Sequence, residues 1–227
     1  MEKSGESRFF RSELGLRILS AIVLIALVLP AVWYGGWAMG AVAGALSALV
    51  FYEWLLITGR FDPARPTPGI QWLIGGLAYA AIPVATLPFI RGATEPSGWM
   101  LLMLLFIVVW ATDVAAYFVG RRFGGPKLAP AISPNKTWSG AIGGALAAML
   151  VGLVFSLLYP YPMSWFILAS FAMSVFSQVG DLFESWIKRV FDVKDSSRLI
   201  PGHGGFLDRV DGLLGAALPM ALYVWLT

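Results

Sequence analysis

Seven stretches of this chain, near residues 16–34, 38–57, 70–90, 99–119, 140–159, 164–182 and 210–226, are each long and apolar enough to cross a bilayer as a helix. A spanning helix needs about 20 mainly apolar residues, and in hydrocarbon only helices and closed barrels satisfy their own backbone groups. The expectation is an all-α, polytopic integral membrane protein with about seven transmembrane helices. Composition agrees, with 58% apolar and 13% charged residues, where a soluble domain carries about 25% charged. One small core cannot hide so much apolar surface, so a water-soluble globular enzyme is excluded, and disorder with it. Pro83 and Pro88 predict that the third span kinks or ends early. The first span is too long for a cleavable signal peptide, and no small-residue cleavage site precedes Trp33-Tyr34.

Basic residues mark the side of the membrane on which each loop stays. Lys3, Arg8, Arg11 and Arg17 open the chain, and Arg60 and Arg65 follow the second span. Arg121, Arg122, Lys127 and Lys136 follow the fourth, and Lys188, Arg189, Lys194, Arg198 and Arg209 lie between the sixth and seventh. Seven alternating spans put 15 of the 16 basic residues on one side and leave Arg91 opposite. The N-terminus and these loops are therefore expected in the cytoplasm, with the C-terminus outside. Trp33, Tyr34, Trp37, Tyr159, Tyr161, Trp165 and Trp225 read as interfacial anchors. The net charge of +3 is too small to argue for nucleic acid, so none is expected as a partner. With no cysteine, disulfides, thiolate metal sites and a cysteine nucleophile are excluded.

Residues 178–211 differ from the rest, holding six of the 13 acids and five basic residues. Asp181, Glu184, Ser185 and Lys188 share one helical face at i, i+3, i+4 and i+7. The acids begin where hydrocarbon ends, and ionisable groups there face a protein interior or a watery cavity. Glu184 reads either as part of a site or as the i,i+4 partner of Lys188. For Asp181 and Asp208 the favoured reading is ligation of Mg²⁺, which takes a few carboxylates together with phosphate oxygens and water. The turn around His203, Gly204 and Gly205 can bring backbone N–H groups close to an anion. His203, the only histidine, reads as a packing residue or as a phosphate or proton contact, and Arg189 and Arg198 as site residues or membrane anchors. A second polar stretch contains Asp113, Tyr117 and Arg121, then Ser133, Asn135, Lys136 and Thr137. Asp113 reads as a metal-shell residue or as a packing hydrogen bond between spans. Lys136 and Thr137 precede a helix start, which favours an anion. Residues 135–137 match a glycosylation sequon that the cytoplasmic position argues against. Both stretches fall on one membrane side and together predict a phosphate site roofed by lipid.

These stretches resemble the phosphatidate cytidylyltransferase family (CDP-diacylglycerol synthases). The family's C-terminal signature runs unbroken here from Ser185 through Lys188-Arg189, Lys194-Asp195, Ser197, Pro201 and His203-Gly204-Gly205 to Asp208-Arg209 and Asp211. Gln178, Gly180, Asp181 and Glu184 fit the pattern upstream, as do Asp113, Tyr117, Gly120 and Arg121, then Ser133-Pro134, Lys136, Thr137 and Trp138. The resemblance covers about residues 110–211. Members commonly carry glutamate where Ser139 stands and basic residues where Ala131 and Asn135 stand, and this chain is short for the family at its N-terminus. A division follows into N-terminal spans, residues 1–98, and a catalytic membrane region, residues 99–227.

The resemblance implies transfer of CMP from CTP to phosphatidic acid, giving CDP-diacylglycerol and pyrophosphate, in a homodimer; the basic asymmetry and compact form favour a bacterial inner membrane over an organelle. Two anions must meet, so catalysis rests on neutralising charge and aligning oxygens. Asp181 and Asp208 are expected to hold Mg²⁺, with Asp211 and Asp113 completing the shell through water. Lys188, Lys194 and Arg209 offset the triphosphate, while Lys136, Ser133 and Thr137 reach the nucleotide or the lipid phosphate. Ser185, Arg189, Asp195, His203, Gly204 and Gly205 complete the expected substrate contacts. Two other readings are a CTP-dependent polyprenol kinase, releasing CDP, and an ion-coupled transporter. A transporter should spread acids through the membrane and often shows inverted repeats. Here only Glu53 and Asp113 lie clearly within spans, and no repeat is evident.

Overall fold

A computed structural model describes residues 13–63, 67–94, 97–197, 199 and 204–226, with side chains from residue 22 onward. Among the described residues there are seven helices: α1 (Glu13–Tyr34), α2 (Gly36–Ile57), α3 (Ile70–Arg91), α4 (Gly98–Phe123), α5 (Trp138–Leu158), α6 (Met163–Val190) and α7 (Leu207–Leu226). The last six are long and apolar enough to span a membrane, and a third or less of each apolar window is buried within the protein, 22–33%. Water could not accommodate the remaining apolar surface, and lipid can. The molecule is an all-α integral membrane protein.

Three differences from the sequence reading bear on the site. Helix α3 does not end at Pro83 or Pro88 but continues to Arg91. An interrupted helix has no better place for its backbone in hydrocarbon, so it runs on. Helix α4 extends a turn beyond its apolar stretch and carries Arg121 and Arg122, while α7 starts early enough to carry Asp208 and Asp211 in its first turns. A short antiparallel hairpin, β1 (Lys127–Ala129) and β2 (Ser133–Thr137), joins α4 to α5.

The end of α1 meets the end of α3 and the start of α4, and the end of α2 meets the starts of α3 and α7, as helices alternating in direction require. One end of the bundle, the near face, gathers the α2–α3, α4–α5 and α6–α7 connections. At the far face Trp33 lies 6.1 Å from Trp99 and Trp165 lies 4.4 Å from Tyr223, ring centre to ring centre. Arg91 also lies there, its guanidinium donating to the carbonyls of Val32 and Trp33 at the end of α1. The larger core cluster joins Met39 of α2 and Leu87 of α3 to Leu101–Leu105 of α4, Phe166 of α6 and Met220 of α7. Helices α6 and α7 touch backbone to backbone. A Cβ on Gly215 would stand 2.2 Å from the Phe176 carbonyl oxygen, and one on Gly180 would stand 2.5 Å from that of Asp211. Small residues permit such approach in membranes, and this one sets Asp181 beside the start of α7.

Candidate functional site

The near-face hairpin is held at both ends by side chains next to it. Thr137 caps α5 by accepting from the Gly140 N–H at 3.2 Å, and its hydroxyl meets that of Ser139 at 3.0 Å. Ser139 in turn donates to the Gly124 carbonyl, which closes the hairpin at its base. From this frame Lys136 forms an ion pair with Asp181 on α6, while Ser185, one turn along, points its hydroxyl at the same carboxylate, 3.5 Å away. A cavity of about 720 Å³ opens between α4, the hairpin, α5 and α6, lined by Asp113, Asp181, Arg121, Lys127 and Lys136 among others. Tyr117 also lines it and accepts a 2.9 Å hydrogen bond from Arg121. Asp113, Asp181 and Asp211 lie within electrostatic reach of one another and of Lys136. Beside Asp113, Thr112 bonds across the bundle, donating to Ser174 at 2.9 Å.

A second charged group stands at the α6–α7 end. The Lys188 ammonium lies 2.6 Å from Glu184 and 2.6 Å from Asp208, so the intrahelical pair and the contact across helices coexist. The other oxygen of Asp208 accepts from the Ser196 N–H at 3.2 Å and the Gly205 N–H at 3.0 Å, with the Ser196 hydroxyl oxygen 3.1 Å away. A carboxylate in the first turn of a helix also meets the positive end of its dipole. Gly205 admits no side chain, because a Cβ there would collide with the Ser196 hydroxyl at 1.6 Å. Asp181 and Asp208 are thus engaged by different partners, Lys136 for one and Lys188 for the other.

The sequence reading noted Glu53 only as an acid within a span. It is fully buried and accepts from the Ser196 hydroxyl at 2.8 Å, the Phe206 N–H at 2.8 Å, the Leu207 N–H at 2.6 Å and the Ser197 hydroxyl. One carboxylate of α2 therefore caps α7 and anchors the loop before it. The signal available in the sequence was its place: an uncompensated acid one turn from the end of an apolar stretch needs a partner elsewhere.

The remaining predicted residues spread around this face. Ser133 opens β2 opposite Ala129, and Arg189 donates to the Ile132 carbonyl at 3.2 Å, tying α6 to the hairpin. Lys194, Asp195 and Arg209 are exposed, Gly205 is buried and Gly204 is half-buried. His203 and Arg198 lie outside the described residues. Among the described residues no three histidine or acidic side chains are close enough to enclose a metal ion unaided.

Residues 71–227 match the cytidylyltransferase family model. A phosphatidate cytidylyltransferase of Brucella suis is 43% identical, with 93% of each chain covered. One of Rickettsia bellii is 35% identical over 94% of this chain and 91% of that protein. One of Haemophilus influenzae is 48% identical over 134 residues, 56% of this chain and 46% of that one. The match to the Brucella protein extends over 253 aligned positions, more than the 227 residues of this chain, which is therefore the shorter of the two. With the signature acids and lysines gathered on one face and a family match running from α3 to the end of α7, the chain belongs to the cytidylyltransferase family.

Proposed function

We infer that this protein transfers CMP from CTP to phosphatidic acid at the cytoplasmic face of a bacterial inner membrane, releasing pyrophosphate and leaving CDP-diacylglycerol in the bilayer. The observation that carries the reading is the 43% identity across 93% of both chains with a protein bearing that name. The cavity's chemistry supports it. A lipid phosphate and a nucleoside triphosphate repel each other, and Lys136, Arg121 and Lys127 around one cavity lessen that repulsion while fixing where each phosphate lies. Phosphatidic acid is already ionised near neutral pH, so no side chain needs to act as general base. Lys188, Lys194 and Arg209 are assigned to the triphosphate from the α6–α7 side, and Ser133 and Thr137 to the walls of the hairpin side.

The donors fit a hard divalent cation. They are carboxylate oxygens, too few to cage it, so substrate phosphate oxygens and water would complete the shell, as Mg²⁺ prefers. Asp181 would hold it at the cavity, with Asp113 and Asp211 close by. Asp208, expected to share it, already accepts from Lys188 and from the Ser196 and Gly205 N–H groups. When bound, Mg²⁺ would offset charge developing between the attacking and departing oxygens.

The test is incubation of purified protein with CTP labelled on its α-phosphate, phosphatidic acid and Mg²⁺. Labelled lipid and free pyrophosphate are expected, with loss of product on chelation and recovery when Mg²⁺ is restored. With a polyprenol supplied in place of phosphatidic acid, release of labelled CDP and no labelled lipid would identify a lipid-alcohol kinase instead. Undiminished product after thorough chelation would remove the metal from the reading.

A further inference from the structure

Glu53 belongs to α2, before the first residue that the family model matches, residue 71. Its carboxylate nonetheless receives four hydrogen bonds from the loop and helix start that carry the signature. Two of the donors are the backbone N–H groups of Phe206 and Leu207, which a starting helix leaves without intrahelical partners. The other two are the hydroxyls of Ser196 and Ser197. Ser196 matters most, because its single hydroxyl lies between two carboxylates, 2.8 Å from Glu53 and 3.1 Å from Asp208. A hydroxyl has one proton to donate, so the shorter contact holds it toward Glu53. The Ser196 backbone N–H is left pointing at Asp208. Asp208 in turn holds Lys188. A continuous path of hydrogen bonds thus runs from α2 through Ser196 and Asp208 to Lys188 on α6.

A fully buried carboxylate inside a span is costly unless its hydrogen bonds are complete. Packing alone would be served as well by an apolar residue. Glu53 instead aims both oxygens at the segment that joins α6 to α7.

We propose that Glu53 is a positioning residue for the transfer reaction: docked on the start of α7, it fixes the Ser196–Asp208–Lys188 path and so the charge presented to the substrates. The inference rests on the cytidylyltransferase reading given above. Glu53 touches neither substrate. It acts through Ser196 on Asp208, and through the two N–H groups on the place where α7 begins.

Glu53→Gln keeps the size of the side chain but replaces one acceptor with a donor, set against groups that already donate. In the full chain, its kcat is expected to fall on the order of 10–100-fold, the scale of misplacing a catalytic group by about 1 Å. KM for phosphatidic acid should stay within about twofold, while KM for CTP should rise, because the path ends on Lys188 and its contact with the triphosphate. Ser196→Ala removes only the bridging hydroxyl and leaves both backbone donors on Glu53. Its kcat is expected to fall severalfold with an unchanged melting temperature, and Glu53→Gln/Ser196→Ala should be no slower than Glu53→Gln alone. Separate, multiplying losses would mean two unrelated structural defects and would overturn the path.

If Glu53→Gln fails to fold, Ser196→Ala decides, and a wild-type kcat in that variant sinks the proposal. Hydrogen exchange supplies a readout free of activity, since the amides of Phe206 and Leu207 should lose protection in Glu53→Gln. Wild-type protein that exchanges as expected yet transfers no CMP would refute the functional reading while leaving the docking of Glu53 intact. Unchanged exchange at both amides would refute the docking itself.

Discussion

Asp181 and Lys188 lie two turns apart on one face of α6 but answer to different surroundings. Asp181 is partly exposed to the cavity and ion-paired with Lys136. Its replacement by Asn should abolish turnover while leaving the melting temperature in detergent within a few degrees of wild type. Wild-type turnover in that variant would remove Asp181 from the reaction. Lys188 has two carboxylate partners, and Glu184 is almost fully buried beside it. Lys188→Ala strands that acid without its cation, at a cost of about 3 kcal/mol by analogy with broken buried pairs. A lowered melting temperature together with weakened CTP use is therefore expected, and an unchanged one would show that Glu184 finds another partner. The Glu184–Lys188 pair was legible from spacing alone. The Lys136–Asp181 and Glu53–Ser196 contacts were not, because hydropathy says where helices are but not how they are turned toward one another.

At the scale of the elements, the spans were legible because an apolar run of about 20 residues has few alternatives in lipid. Their ends were not. Arg121 and Arg122 extend α4 beyond the hydrocarbon, where charge no longer argues against helix, and the prolines of α3 fail to stop it for the reason already given. The hairpin escaped notice because β2 includes Pro134 and Asn135, residues that disfavour strands. It forms through its closure by Ser139 and Gly124 and not through strand propensity. The α6–α7 contact offers a direct test. Gly215→Ala would place a methyl group 2.2 Å from the Phe176 carbonyl oxygen, forcing the helices apart at about 1–3 kcal/mol, the scale of overpacking. Asp181 and Asp211 would separate with them, so both stability and kcat should drop. Full activity in Gly215→Ala would show that the spacing of these acids is not critical.

For the whole molecule, the absence of cysteine makes a single introduced thiol an unambiguous reporter of sidedness. A membrane-impermeant maleimide should label Thr94→Cys in intact cells, and Lys194→Cys only in inverted vesicles. Labelling of both from the same side would contradict the alternation of the helices and the cytoplasmic assignment of the near face. The near face also explains why so little chemistry is found elsewhere in the bundle. The far face has one basic residue in its connections, Arg91, and its guanidinium is turned onto the carbonyls of Val32 and Trp33. Each basic group close to a membrane surface attracts anionic headgroups by about 1 kcal/mol. Arg121, Lys127 and Lys136 around the cavity instead offer anionic lipid a contact at the one leaflet the cavity adjoins. Turnover is therefore expected to follow that leaflet's composition more closely than the total lipid supplied.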